Sequence, residues 1–102
     1  MLTEKEMNAI AEKYVSDLFQ ERASEMVILY EFTVKKSYGN VYVYNSKKYI
    51  ETKDFKFALV GNAPFLVEKE TGKIVVFGTA QRKNYYIQEY EAGRWLTTRK
   101  PD

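Results

Sequence analysis

The 102-residue sequence predicts a single α+β domain spanning residues 1–102, in which an N-terminal helix packs on a four-stranded antiparallel sheet and a second short helix follows near the C-terminus. Three observations predict this fold class. A helical pattern of apolar residues opens the chain, alternating patterns typical of strands occur in its middle, and a second helical pattern comes after them. The hydrophobic content of 45% suits one domain with one core.

The first helix is predicted to begin at a capping box. Thr3 and Glu6 have the spacing at which each side chain accepts a hydrogen bond from the other residue's backbone amide. We expect the helix to end near Arg22. Its apolar residues recur at three- and four-residue steps and should form one buried stripe: Met7, Ile10, Ala11, Tyr14, Val15 and Leu18.

A first hairpin is predicted between residues 26 and 45. From Met26 to Lys35 the period is two, which places Met26, Ile28, Tyr30, Phe32 and Val34 on a core-facing side. Tyr38, Gly39 and Asn40 supply a turn, and VYVYN at 41–45 supplies the returning strand. Residues 46–60 have no clean period, so we expect an irregular crossing there, or a short helical turn around residues 55–59.

A second hairpin is predicted in GNAPFLVEKETGKIVVFGTA, residues 61–80. If residues 70–72 form its loop, with Gly72 in the left-handed conformation, Lys69 lies opposite Lys73. That register puts Phe65, Val67, Val75 and Phe77 on one face, and Leu66, Glu68, Ile74 and Val76 on the other. Strands this apolar on both faces are either covered twice, or covered once and left free for a partner.

The second helix is predicted over residues 81–92. Thr79 is its expected cap, Gly93 lies where it should stop, and its apolar stripe is Tyr86, Ile87 and Tyr90. We expect Trp95 to dock on the domain and the rest of residues 94–102 to form a partly ordered tail.

The residue types present argue against an enzyme. The chain has no cysteine and no histidine, so it lacks thiolate nucleophiles, disulfides and the commonest general base and metal ligand. The carboxylates near the turns, Glu51, Asp54, Glu68 and Glu70, have no spacing that sets a catalytic pair or a metal loop, and we expect them to be solvated. We therefore predict no catalytic residue, no cofactor and no metal.

Charge is distributed unevenly along the chain. Residues 1–33 hold three Lys/Arg and seven Asp/Glu, a net charge of −4, whereas residues 34–102 hold thirteen and seven, a net charge of +6. This is either two solvated faces of opposite sign or a field that orients an acidic partner. No stretch has the pattern of a secretory signal or the length of a membrane span, so the expected location is the cytoplasm, away from membranes.

The most suggestive surface candidate is YVYNSKKY, residues 42–49. Rings beside cations suit either a protein interface or nucleic-acid bases and phosphates, and the remaining alternative is a sheet face with Tyr42 and Tyr44 packed under a helix. Nucleic acid is the weaker partner, because no run of Lys/Arg exceeds two. Asn62 and Pro64 form a rigid corner in which Asn62 is expected to bond its own backbone. The predicted partner contacts are Tyr44, Asn45, Lys47, Lys48, Tyr49, Asn62 and Pro64.

Read in order, YGNVYVYNSKKYIET, ALVGNAPFLVEKETGKIVVFGTA and YYIQEY resemble the YrhB-like immunity proteins of bacterial polymorphic toxin systems, also grouped as immunity protein family thirty-five. One departure is Asn40, where members often carry tryptophan. The resemblance implies a small α+β protein that binds a cognate toxin and blocks it without catalysis, or alternatively a chaperone-like binding protein. Because this chain is slightly basic, a toxin with an acidic surface, such as a protein-modifying enzyme, is favoured over a nuclease.

Overall fold

Two antiparallel sheets and three α-helices make up the part of the chain that the computed structural model describes, residues 1–59 and 62–95. The fold is α+β, with an N-terminal helix, a four-stranded antiparallel sheet and a short C-terminal helix, which confirms the predicted class. The second, two-stranded sheet was not predicted. In chain order the elements are α1 (Glu4–Phe19), β1 (Met26–Ile28), β2 (Val34–Lys36), β3 (Gly39–Tyr42), β4 (Tyr44–Ser46), α2 (Lys47–Thr52), β5 (Phe65–Glu68), β6 (Ile74–Val76) and α3 (Lys83–Glu91).

Strand order in the larger sheet is β2-β3-β5-β6, and the smaller sheet pairs β1 with β4. Short 3₁₀ segments connect some of these elements. They span Gln20–Glu25, Tyr30–Phe32 and Phe55–Phe57.

The first helix begins as its sequence predicts. Thr3 Oγ1 accepts from the Glu6 amide at 3.1 Å, and Glu6 Oε1 accepts from the Thr3 amide at 2.8 Å. The helix ends at Phe19 rather than near Arg22, because Gln20 takes a positive φ of 53° and a 3₁₀ segment follows. Most of the apolar stripe is buried or half-buried, but Leu18 in the last turn is exposed.

The predicted strand from Met26 to Lys35 is interrupted. Met26 lies opposite Ser46 and Ile28 opposite Tyr44, whereas Val34 lies opposite Val41. The register therefore shifts by three residues between the two pairings, and these three form the 3₁₀ turn Tyr30–Phe32. Tyr30 and Phe32, expected to face the core, are consequently exposed. The hairpin itself is confirmed, because both parts pair with the returning segment 39–46.

The hairpin of β5 and β6 has a register one residue different from the predicted one. Phe65 lies opposite Val76 and Val67 opposite Ile74, so Glu68 rather than Lys69 closes the loop with Lys73. A shift of one residue exchanges the two faces of a strand. Ile74 and Val76 therefore join the side of Phe65 and Val67, while Val75 and Phe77 join the opposite side with Leu66. The left-handed conformation predicted for Gly72 is confirmed, with φ of 75°.

The four-stranded sheet is covered on both faces. On one face, Tyr14 and Ala11 of α1 pack with Phe65 and Val67. On the other, Tyr86 and Ile87 of α3 pack with Val41, Leu66 and Val75 of three strands and with Phe77, which directly follows β6. Of the two alternatives that the apolar strands left open, coverage on both sides is therefore the observed one.

The C-terminal elements match part of the prediction. Trp95 docks as expected, its indole N–H donating to the Val76 carbonyl at 3.0 Å. Gly93, with φ of 76°, follows the end of α3. Thr79 does not cap the helix, because α3 begins at Lys83, with Arg82 at the cap position and no side-chain capping bond. Residues 96–102 of the predicted tail lie outside the described residues.

Candidate partner-binding surface

The segment NSKKYIET, residues 45–52, passes from β4 directly into helix α2. Ser46 Oγ caps this helix by accepting from the Tyr49 amide at 3.3 Å, and Lys53 ends it with a left-handed φ of 59°. A helix of six residues is too short to display a 3.6-residue period, which is why the sequence did not predict it. The capping serine was the available signal.

Asn45 and Asn62 link residues that follow α2 in the chain to β4. Asn45 Oδ1 accepts from the amides of Ser46, at 2.7 Å, and of Leu59, at 3.0 Å. Asn62 Nδ2 donates to the Tyr44 carbonyl at 2.7 Å. The prediction that Asn62 bonds its own backbone is therefore wrong, because the side chain spans to a neighbouring strand instead. Both residues are half-buried.

Pro64 and Tyr44, two of the predicted partner contacts, form contacts within the fold. The Pro64 carbonyl accepts from the Phe77 amide at 2.9 Å and continues the ladder between β5 and β6. Tyr44 is only 5% exposed, with its ring 6.2 Å from that of Phe65 and 5.7 Å from that of Phe19. Burial raises the pKa of its hydroxyl to about 12. The packed position considered for Tyr44 is the observed one, and its ring has almost no surface to offer a partner.

The accessible part of the predicted patch, Lys47, Lys48 and Tyr49, lies on α2. The 3₁₀ turn Phe55–Phe57, which the prediction did not include, lies beside it. The ring of Tyr49 is 5.8 Å from that of Phe55, which is 82% exposed. Lys48 Nζ and Lys56 Nζ lie 5.5 Å and 5.2 Å from the centre of the Phe57 ring. We call this the Phe55 surface, and it consists of Lys47, Lys48, Tyr49, Phe55, Lys56 and Phe57.

A cleft of about 580 Å³ opens beside the Phe55 surface. One wall comes from Arg22, Ser24 and Glu25 of the 3₁₀ segment after α1, and the other from α2 and residues 56–59. Its charged lining comprises four cations and two carboxylates: Arg22, Lys47, Lys48, Lys56, Glu25 and Glu51. The sequence did not predict the contribution of Arg22, which is brought here by the fold from more than twenty residues away.

The acidic residues near the turns do not converge. Across residues 1–59 and 62–95, no three His, Cys, Asp or Glu side chains form a group able to hold a metal. Asp54 caps the Phe55–Phe57 turn by accepting from the Lys56 amide at 3.1 Å. Glu68 is half-buried rather than solvated, because it accepts from the hydroxyls of Tyr90, at 2.5 Å, and Thr71, at 3.2 Å. None of the helices in the described part of the chain is long and apolar enough to cross a membrane.

Comparison with known proteins identifies the family of this α+β chain. A protein of Escherichia coli strain K12, named as the uncharacterized protein YrhB, is 30% identical to it over 91 residues. The match covers 89% of this chain and 90% of that protein. The chain therefore belongs to the YrhB family, which confirms the resemblance at family level. No family model matches the chain. No solved structure matches it either.

Proposed function

We propose that the protein is a non-enzymatic immunity protein, which binds a cognate bacterial toxin domain in the cytoplasm and neutralises it by covering part of its surface. The resemblance of the sequence to YrhB-like immunity proteins supports this class of function, while the match to the uncharacterized protein YrhB supports the family alone. The single observation that carries it is the Phe55 surface, in which an 82% exposed phenylalanine adjoins Lys56 and Phe57, two of the residues that line a cleft.

An exposed phenylalanine at this place favours binding for a physical reason. Covering such a ring with a partner removes apolar surface from water, which contributes about 1.5–3 kcal/mol. Aromatic anchors surrounded by polar residues are typical of the energetically dominant centre of protein interfaces. Tyr49 packs against Phe55 and limits its freedom, so less conformational entropy is lost when a partner orders the ring.

The test is a neutralisation assay with the polypeptide encoded directly upstream of this gene. Its expression should arrest growth, and co-expression of this protein should restore growth through a one-to-one complex. Phe55→Ala should weaken the complex about tenfold or more, because the ring is an interface anchor. Affinity is measured by calorimetry on the purified pair.

Phe32→Ala is the matched control for this variant. Phe32 is also a phenylalanine of a three-residue 3₁₀ turn, is 57% exposed, and belongs to neither the Phe55 surface nor the cleft. The Phe32→Ala variant should bind the upstream gene product as tightly as the unchanged protein does. If the upstream product is harmless, or forms no complex with this protein, the immunity function is refuted. Equal binding by both variants would remove Phe55 from the interface.

A chaperone-like role is the second candidate, and one observation favours it. Large apolar side chains are exposed at separate places on the described surface, including Leu18, Phe32, Phe55 and Tyr85. Several separate apolar contacts suit weak binding of extended, unfolded segments, whereas stable binding of one defined partner requires a single continuous interface. Suppression of the aggregation of unrelated, heat-unfolded proteins would support this role, and an immunity protein should not produce it.

A further inference from the structure

We infer that the cleft beside the Phe55 surface receives an acidic segment of the partner protein, whose carboxylates lie among the cleft's cations while an apolar side chain covers Phe55. The inference rests on the proposed function, because it names the chemistry that a neutralised partner must present at this site. Its support comes from the charge, the shape and the preorganisation of the cleft.

The charge balance inside the cleft is positive. The lining holds four cations and two carboxylates; Arg22 pairs with Glu25 at 3.4 Å, and Lys56 pairs with Asp54, which lies outside the lining, at 3.7 Å. Lys47 and Lys48 form no ion pair within the part of the chain that the structure describes. Their ammonium groups therefore leave a local positive field that a partner's carboxylates can neutralise.

Two of these cations are held in place before a partner arrives. Lys48 and Lys56 converge on the Phe57 ring, within 5.5 Å and 5.2 Å of its centre. The cation–π attraction restrains both side chains. Lys56 is also tethered to Asp54 at 3.7 Å. Ordering long lysine side chains normally opposes binding, so this restraint lowers the entropy lost when a carboxylate is bound.

A polypeptide fits the cleft better than a nucleic acid does. Glu51 lies on the same wall as Lys47 and Lys48, and it would face the evenly spaced negative charges of a phosphate backbone. An acidic peptide can place neutral residues opposite Glu51 and carboxylates opposite the lysines. The neighbouring Phe55 ring adds a contact for an apolar peptide side chain.

The first experiment uses a synthetic hexapeptide that alternates glutamate and phenylalanine, titrated into the isotopically labelled full-length protein and followed by amide NMR. Saturable shifts should centre on residues 46–51 and 56–59, and their apparent affinity should fall as salt rises. The same peptide with glutamine replacing every glutamate should bind about tenfold more weakly or not at all.

Charge variants on the cleft wall sharpen the test. Lys48→Glu should weaken peptide binding about tenfold, whereas Glu51→Gln should strengthen it about threefold, since each changes the field on the bound carboxylates in a known direction. Lys5→Glu, an exposed α1 residue outside the cleft, makes the same charge change as Lys48→Glu and should leave binding unaltered.

Three results would overturn the inference. These are equal binding of the glutamate and glutamine peptides, no shifts in the cleft at millimolar peptide, and tighter binding of a single-stranded DNA oligonucleotide there. None of these outcomes tests neutralisation of the upstream gene product. Restored growth together with a charge-insensitive complex would therefore retain the immunity function and reject the acidic occupant. Peptide binding without restored growth would retain the acidic occupant of the cleft and reject the immunity function.

Discussion

At Gly39, the first residue of β3, the backbone takes φ of +156° and passes directly against β5. A Cβ placed there would lie 2.2 Å from the carbonyl oxygen of Val67, and the neighbouring residue Asn40 is buried with its amide donating to the Tyr42 hydroxyl at 3.2 Å. The glycine that the sequence indicates as part of a turn is thus required by a close approach between two central strands. A side chain at this residue has to displace backbone.

Gly39→Ala should lower the free energy of unfolding by about 3 kcal/mol or more, because the clash is with a backbone oxygen that cannot rotate away. Gly93→Ala is the control, since Gly93 has φ of 76° but a Cβ there meets nothing within 4 Å. It should cost only the left-handed backbone preference, about 1 kcal/mol. Urea unfolding followed by circular dichroism measures both, and similar losses for the two variants would show that β3 and β5 can separate to admit a methyl group.

At the scale of elements, Asn45 connects β4 with the segment that carries the Phe55 surface. Its Oδ1 serves the amides of Ser46 and Leu59, which lie at the two ends of the segment containing α2 and the Phe55–Phe57 turn. Through these two bonds, Asn45 Oδ1 attaches the segment that forms one wall of the cleft to β4. The Asn62 bond to the Tyr44 carbonyl reinforces the same attachment.

Asn45→Ala should destabilise the protein by about 1–3 kcal/mol, because it leaves two half-buried backbone amides without their acceptor. Asn45→Asp keeps an oxygen in the same place and should retain most of the stability, as amide donors favour a carboxylate. Hydrogen exchange at Leu59 provides a local reading, which should accelerate in the alanine variant and stay slow in the aspartate variant. Unchanged exchange in the alanine variant would show that other contacts hold this segment.

The elements predicted from sequence are those with a local signal. The α1 start follows from the Thr3–Glu6 spacing, and the left-handed loop of the second hairpin follows from Gly72. The register of β5 with β6 could not be predicted, because both faces of these strands are apolar and a one-residue slip changes no hydrophobic pattern. The three-residue break at Tyr30–Phe32 likewise depends on where the chain passes between two sheets.

At the scale of the whole molecule, the candidate surface was predictable only in part. Lys47, Lys48 and Tyr49 are adjacent in sequence and remain together on one exposed helix. Arg22 and Phe57 come from other segments, and only the fold places them around the same cleft, while Phe55 packs against Tyr49 beside it. Tyr44 and Tyr49 belong to the same predicted patch, but Tyr44 lies on β4, where its ring packs towards α1. Sequence composition identifies such a patch without showing which of its side chains face outward.

The tyrosines of the two sheet faces link the stability of the molecule to alkaline pH. Burial, followed by the hydrogen bond to Glu68, raises the pKa of Tyr90 from 10.0 to about 12, and burial raises that of Tyr44 to about 12. Burial and the hydrogen bond to Glu91 also raise the pKa of Tyr38. The Tyr90–Glu68 bond joins α3 to β5, and the Tyr38–Glu91 bond joins α3 to the turn between β2 and β3; in both, a neutral phenol donates to a carboxylate.

A folded-state pKa above the unfolded value contributes stability that is complete below pH 10 and is lost as pH rises through the folded pKa. The midpoint of thermal unfolding should therefore be constant on approach to pH 10 and fall between pH 10 and about 12. Tyr90→Phe removes one titrating group, so its midpoint should fall less steeply over that interval, although it starts lower because the Glu68 bond is lost.

Tyr85→Phe, at an exposed residue of the same helix, is the control, and its unfolding midpoint should depend on pH as the unchanged protein's does. The difference in tyrosinate absorbance between the unchanged protein and Tyr90→Phe, recorded through the same titration, should rise in step with the loss of structure, because a tyrosinate formed beside Glu68 repels it and drives α3 from the sheet. An ionisation complete before any change in the midpoint would show that these phenols reach solvent without unfolding and that α3 is held by its apolar contacts alone.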